Sequence, residues 1–157
     1  MSWVEGLKNL VPAYAKDLRL NLEAVLTRSS LKEDEVIGCV IASVYAAGDL
    51  EIAREFSSNP VHEKAHVAAI VMAQNNVWYP YAETAGFEDK NPKLRMNAIV
   101  QYGGPDFEAY SLAASIIGRC HFCIRAHVAS LHDHGWSTEQ IRDVGRIAAV
   151  INSLTRA

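Results

Sequence analysis

Apolar residues recur along this chain at helical spacing. Tyr14, Ala15, Leu18, Leu22, Val25 and Leu26 follow the i, i+3, i+4 rhythm of one helix face, with Pro12 suited to a first turn. Ser30 and Glu33 form a candidate capping box ahead of Val36, Ile37, Val40, Ile41 and Val44. Asn59-Pro60 reads as a cap and first turn for a helix through Ala65, Ala69, Ile70 and Ala73. Residues 79–91, with Pro80 and Gly86, read as a long connection with room for a short helix in it. Asn91-Pro92 then reads as the start of a short helix through Leu94 and Ala98. Gly103-Gly104-Pro105-Asp106 is the clearest break. Helices are predicted over 106–117 and 120–134, with Gly135 as a stop, and over 141–154 behind a second capping box, Ser137 and Gln140. No segment alternates as a strand does. The pattern predicts one all-α domain over 1–157. Ala42-Ser43-Val44 and Ala114-Ser115-Ile116, each in an apolar helix followed by a glycine, are a short echo that two related helical halves would produce.

Composition narrows the class. At 157 residues the chain can bury a real core as one domain. Half its residues are hydrophobic and its formal net charge is −3, which gives no basic surface for nucleic acid or an anionic membrane. The longest unbroken apolar run, 67–73, is too short to span a bilayer. Met1-Ser2-Trp3-Val4-Glu5 has neither the basic nor the apolar region of a secretory signal, so a cytoplasmic protein is expected. Three cysteines in that compartment are not a disulfide framework. A CxxC there points to redox or metal chemistry.

That CxxC is Cys120-His121-Phe122-Cys123. On one helix Cys120, Cys123 and His127 fall within a wedge of roughly 60°. Cys123 and His127 are an i, i+4 pair able to touch. A neutral imidazole can take the thiol proton and then stabilise the thiolate, the species that attacks a peroxide or a disulfide. The second cysteine, one turn away, can close a disulfide. His121 projects from another face and reads as a rim residue. Cys39 has no Cys or His near it in sequence and reads as a small core residue.

Glu108 joins this set only if the chain bends. One continuous helix would hold it roughly 18 Å from Cys120. A turn at Gly118-Arg119 would fold Glu108 back beside His127 as a proton relay. It would also place Cys120 at a helix N-terminus, where the dipole favours a thiolate.

Glu108, Cys120-x-x-Cys123 and His127 together resemble the AhpD family of the carboxymuconolactone decarboxylase-like superfamily. Three further stretches carry the resemblance: Tyr14-Ala15-Lys16-Asp17-Leu18-Arg19-Leu20-Asn21-Leu22, Met72-Ala73-Gln74-Asn75-Asn76-Val77-Trp78-Tyr79 and Leu94-Arg95-Met96-Asn97. The resemblance implies an all-helical homotrimer with thiol peroxidase (alkyl hydroperoxide reductase) activity in antioxidant defence and no bound cofactor. Cys123 would be the peroxidatic thiol and Cys120 the resolving one, the two forming the redox-active disulfide. His127 would be the base and Glu108 the relay acid. Electrons would come from dihydrolipoamide on a lipoylated 2-oxoacid dehydrogenase subunit and could pass to the peroxiredoxin AhpC. One position departs from the pattern. Some members carry a histidine just before the second cysteine, where this chain has Phe122, with His121 one place earlier.

Two rival readings use other ligands. Cys120, Cys123 and His127 with His132 or His134 are acceptable zinc ligands by type, although three of them crowd one helix. His62-Glu63-Lys64-Ala65-His66 spells HExxH, with Glu83 or Glu88 as a nominal third ligand, against a plainer reading as a solvated first turn. A decarboxylase-like or zinc-binding structural member of the superfamily is the alternative to peroxidase turnover. Trp78 and Tyr79 are candidate surface anchors, with core packing their more ordinary use.

Overall fold

The computed structural model describes residues 2–157, apart from the side chain of Val100. Met1, the first residue of the stretch read for a secretory signal, lies outside them. The described residues form nine helices and no strand, so the all-α reading holds. They are α1 (Ser2–Asn9), α2 (Lys16–Thr27), α3 (Glu33–Ala47), α4 (Leu50–Glu55), α5 (His62–Thr84), α6 (Asn97–Tyr102), α7 (Pro105–Ile117), α8 (His121–Asp133) and α9 (Thr138–Leu154).

The centre is the α3–α7 pair. Every residue of α3 from Val36 to Val44 is buried, as a helix that is apolar all round requires. α7 is buried from Ala109 to Ser115 and is rich in alanine and serine, so the two axes can come close. Gly38 is what permits the approach. A Cβ there would collide with the ring of Tyr110, whose hydroxyl donates to the Asp34 carbonyl at 3.2 Å. α5 and α9 each pack on both central helices, α8 packs on α7, and α2 lies on α9 with α1 outside it. Leu22, Leu26, Ile41, Leu112, Ile147 and Ile151 fill the shared core at 0–1 % exposure. Each such side chain contributes about 1.5–3 kcal/mol by leaving water. Ser43 and Ser115, the polar residues of the sequence echo, are both fully buried, one in each central helix.

Local chemistry agrees with the sequence in some places and corrects it in others. The second box forms as read: Ser137 Oγ accepts from Gln140 N at 3.2 Å and Gln140 Oε1 accepts from Ser137 N at 2.8 Å. Gly135 takes φ 84° after α8. The first box lies two residues later than expected, with Glu35 Oε2 accepting from Lys32 N at 2.9 Å. Ser30 is drawn away because Asp143 of α9 accepts from both its N and its Oγ. Tyr14 stands outside α2, 93 % exposed, since Pro12 and Ala15 form a separate turn. α5 begins at His62, because Asn59 Oδ1 accepts from Val61 N and closes an Asx turn first.

The largest correction concerns 79–91. α5 runs straight through Pro80 to Thr84. An interior proline costs about 3 kcal/mol in isolation. Here Trp78, Tyr81 and Phe87 pack edge to face and tilted, Ala82 is fully buried, and Trp78 Nε1 donates to the Lys90 carbonyl at 2.7 Å. Tertiary packing holds the last turn that propensity would end. The short helix expected from Asn91 does not form there. Asp89 and Asn91 side chains accept from the backbone two residues on, and Lys93 adopts φ 54°, so α6 starts only at Asn97.

Candidate active site

Glu108 stands in the first turn of α7, after Gly104 (φ 131°) and Pro105 have set the entry. α7 ends at Ile117, and the chain bends at the residues the sequence indicated. Gly118 keeps an ordinary helical φ of −73°, and it is Arg119 that takes the left-handed conformation, φ 53°. The glycine is needed for space instead. A Cβ at Gly118 would strike the side chain of Asn76, whose Nδ2 donates to the Ala114 carbonyl at 3.2 Å. Cys120 N then donates to the Ser115 carbonyl at 3.2 Å, which closes the turn.

Cys120 is the N-cap of α8. Its sulfur accepts from Cys123 N at 3.2 Å, and Ile124 N bonds to the Cys120 carbonyl at 2.9 Å. The two sulfurs are bonded as a disulfide, with Cα atoms 5.3 Å apart. Both belong to the first turn of a 13-residue helix, where the free N–H groups and the dipole stabilise a thiolate once the bond opens. Neither is freely accessible: Cys120 is 0 % and Cys123 4 % exposed. Attack on either sulfur by an external thiol therefore requires local opening.

The bend brings Glu108 onto His127. Glu108 Oε2 and His127 Nδ1 are 2.7 Å apart, with side chains 23 % and 13 % exposed. The other ring nitrogen, Nε2, lies 3.0 Å from the thioether of Met72. In this disulfide form His127 thus makes its polar contacts to Glu108 and Met72, while the Cys123 sulfur lies 3.7 Å from the Asn75 carbonyl. The direct Cys123–His127 contact expected from their spacing is not among these polar contacts.

α5 supplies the third wall, which sequence reasoning missed. Met72 meets His127, Asn75 meets Cys123, Asn76 meets the turn at Gly118, and Tyr79 stacks on Phe122 with ring centroids 4.4 Å apart. These positions follow i, i+3, i+4, i+7, the spacing of one helix face, but nothing in the sequence names the partner of that face. Tyr79 therefore packs against the site rim instead of standing as a free anchor, and His121 is exposed.

The other candidates lie elsewhere. Cys39 is fully buried, and burial pushes its thiol well above the ordinary range. His62 Nε2 is 2.8 Å from the Tyr45 hydroxyl, and His66 stacks on the same ring at 3.8 Å. Burial, with His62 nearby, lowers the His66 pKa. Glu63 accepts from the Tyr102 hydroxyl. Glu83 sits at the opposite end of α5, roughly 30 Å along the axis from His62, so it cannot complete an HExxH metal site. His132 Nδ1 and His134 Nδ1 lie 3.2 and 2.8 Å from the backbone carbonyls of Trp136 and Ser130, near their own helix end.

The carboxymuconolactone decarboxylase family profile matches residues 104–157, the segment that carries Glu108, both site cysteines and His127. Over the whole chain the similarity is closer to one group of curated proteins. The alkyl hydroperoxide reductase AhpD of Rhodospirillum centenum is 43 % identical, covering 96 % of this chain and 88 % of its own. That of Hyphomonas neptunium is 36 % identical, covering 98 % and 92 %, and that of Maricaulis maris 34 %, covering 96 % and 94 %.

Proposed function

The chain belongs to the alkyl hydroperoxide reductase AhpD family, and from that premise we propose that it is a thiol peroxidase and dithiol/disulfide electron carrier working in the cytoplasm. The observation that supports this best is the Cys120–Cys123 disulfide at the start of α8 with the Glu108–His127 pair one turn farther along. In the reduced form, the Cys123 thiolate attacks the distal oxygen of an organic hydroperoxide. The S–O bond forms, the O–O bond breaks, and the product is an alcohol with Cys123 as its sulfenic acid. Cys120 displaces water from that sulfenate and restores the disulfide. Glu108 holds the ring of His127, which takes the thiol proton before attack and returns a proton to the departing alkoxide.

Dihydrolipoamide, carried on a 2-oxoacid dehydrogenase subunit, is the proposed reductant. Its thiolate opens the disulfide at Cys120 and releases Cys123. The peroxiredoxin AhpC is the proposed electron acceptor when the protein acts as a carrier, and a homotrimer is the proposed assembly. No helix among the described residues is long and apolar enough to cross a membrane.

The deciding experiment is dihydrolipoamide-dependent reduction of an organic hydroperoxide, run beside the Cys123→Ser variant. Turnover in the wild type that vanishes in the variant is the expected result. Turnover that survives would reject Cys123 as the peroxidatic thiol. A folded, fully reduced wild type that does not turn over would favour a partner-dependent carrier or a decarboxylase-like role.

A further inference from the structure

The proposed chemistry leaves one requirement unmet. As the O–O bond breaks, negative charge gathers on the departing oxygen, and the hydroperoxide O–H must point at an acceptor for its distal oxygen to face the sulfur. In the disulfide form Glu108 holds Nδ1 of His127 and Nε2 meets only the Met72 thioether, so the proton transfers above engage the one ring nitrogen that is left. A second polar group beside Cys123 is needed to orient the substrate.

The wall formed by α5 contains one. Asn75 is 7 % exposed, and its backbone carbonyl touches the Cys123 sulfur. It shares the helix face of Met72, which contacts His127, and Tyr79, which contacts Phe122. Its side-chain Oδ1 is buried without a hydrogen-bond partner. Its Nδ2 has only the thioether of Met96, at 3.8 Å. Both ends of the amide are therefore free of strong partners, and an acceptor and a donor are available whichever way the amide is turned. The serine hydroxyls of α7 that also lack partners can rotate onto a carbonyl of their own helix, whereas an amide oxygen can only accept and needs a donor from outside. Asn76 Oδ1 is likewise unpartnered, but its Nδ2 is tied to the Ala114 carbonyl and its side chain lies against Gly118, whereas Asn75 is the residue whose backbone meets the Cys123 sulfur. Buried polar groups are nearly always paired, and exceptions concentrate where a ligand or water completes them.

Resting on the peroxidase reading above, we propose that Asn75 is a catalytic residue that binds the hydroperoxide group. Its Oδ1 accepts the O–H of the bound hydroperoxide. Its Nδ2 donates to the alkoxide oxygen as the Cys123 S–O bond forms and the O–O bond breaks. The alkoxide then takes the proton from His127, and sulfur has lost two electrons to the peroxide. Groups of this kind act mainly on the transition state, because the charge they meet develops only there.

The test is single-turnover oxidation of pre-reduced protein by cumene hydroperoxide, for wild type and Asn75→Leu, a near-isosteric change that removes both polar ends. The peroxide rate constant is expected to fall about 100-fold. Alkylation of Cys123 by iodoacetamide and opening of the disulfide by dithiothreitol, neither of which involves a hydroperoxide, should stay within about threefold of wild type on the same reasoning. An unchanged peroxide rate would overturn the proposal. So would a parallel fall in all three rates, since that marks a general effect on the thiolate or the fold. If the leucine variant does not fold, Asn75→Ser is read by the same three rates. A wild type that does not react with peroxide rejects the peroxidase reading itself, whereas a reactive wild type with equally reactive variants rejects only the role of Asn75.

Discussion

Replacing Gly118 with alanine tests how the turn before Cys120 is held. Two effects oppose each other. Gly118 has helical dihedrals, φ −73° and ψ −8°, so alanine suffers no backbone strain and gains up to about 1 kcal/mol in intrinsic preference. Against this, the new Cβ would lie 2.7 Å from Asn76 Cγ, 2.9 Å from Asn76 Cβ and closer still to Nδ2. The Asn76 side chain must leave, and its bond to the Ala114 carbonyl goes with it. Overpacking of a filled site costs about 1–3 kcal/mol. The lost hydrogen bond adds about 0.5–1.5 kcal/mol. The clash wins, and Gly118→Ala should lose about 0.5–4.5 kcal/mol net. Urea unfolding of the oxidised protein measures this directly. Asn76→Ala supplies the control, because it removes the two most distal colliding atoms and leaves only the Cβ. In that background the cost of Gly118→Ala should fall by at least about half, a coupling that a double-mutant cycle detects. A neutral Gly118→Ala, or the same cost with and without the Asn76 side chain, would refute the assignment of Gly118 to close approach.

Two other sites give independent readouts. Burial acts to raise the Asp143 carboxyl, but bonds from the Ser30 side chain and backbone and from Arg146 outweigh it and lower the pKa. The folded state thus binds this proton less readily than the unfolded chain. The stabilisation is full above the unfolded carboxylate value of about 3.9 and is lost as pH falls through the lower folded value. Asp143→Asn should cost about 1–3 kcal/mol at neutral pH and flatten the acid limb of stability against pH, and an unchanged limb would count against the clamp. For Cys39, whose thiol burial holds protonated and covered, the oxidised native protein should show no titratable thiol with a disulfide reagent and gain one on unfolding. Rapid labelling of the native protein at Cys39 would show that the α3–α7 interface opens.

What could be read from the sequence was what is decided locally. Ser137 and Gln140 satisfy each other across three residues, and Gly103-Gly104-Pro105 can only break and restart a helix, so both were legible. The bend at Gly118 was legible through chemistry, because Glu108 and His127 cannot meet without it. Its mechanism was not: the left-handed residue is Arg119, and the glycine serves the Asn76 side chain from another helix. Pro80 misled for the same reason. Its cost is local, while the aromatic packing of Trp78, Tyr81 and Phe87 that offsets it depends on a segment folding back. Met72 and Asn75 entered the sequence reading only as part of a stretch resembling the family, since a methionine and an asparagine at helical spacing gain a place at the site only from what α5 faces.

The site follows from a register. α7 and α8 form a helical hairpin whose turn, Gly118-Arg119, places Cys120 as a cap and His127 opposite Glu108. One residue added to that turn would rotate α8 by about 100° and carry His127 off the carboxylate, while the two cysteines, held within one turn of the same helix, would remain together. The cysteine pair is thus a local property of four residues, whereas the Glu108–His127 contact is a property of the fold. The α3–α7 core, closed by Gly38 against Tyr110, fixes α7. α5, packed on both α7 and α8, fixes the hairpin from the side. A CxxC alone would be a reducible disulfide. Its setting beside Glu108, His127 and the α5 wall is what the remainder of the chain contributes, and it explains why the likeness to the AhpD proteins extends over nearly the whole sequence, beyond the segment bearing the cysteines.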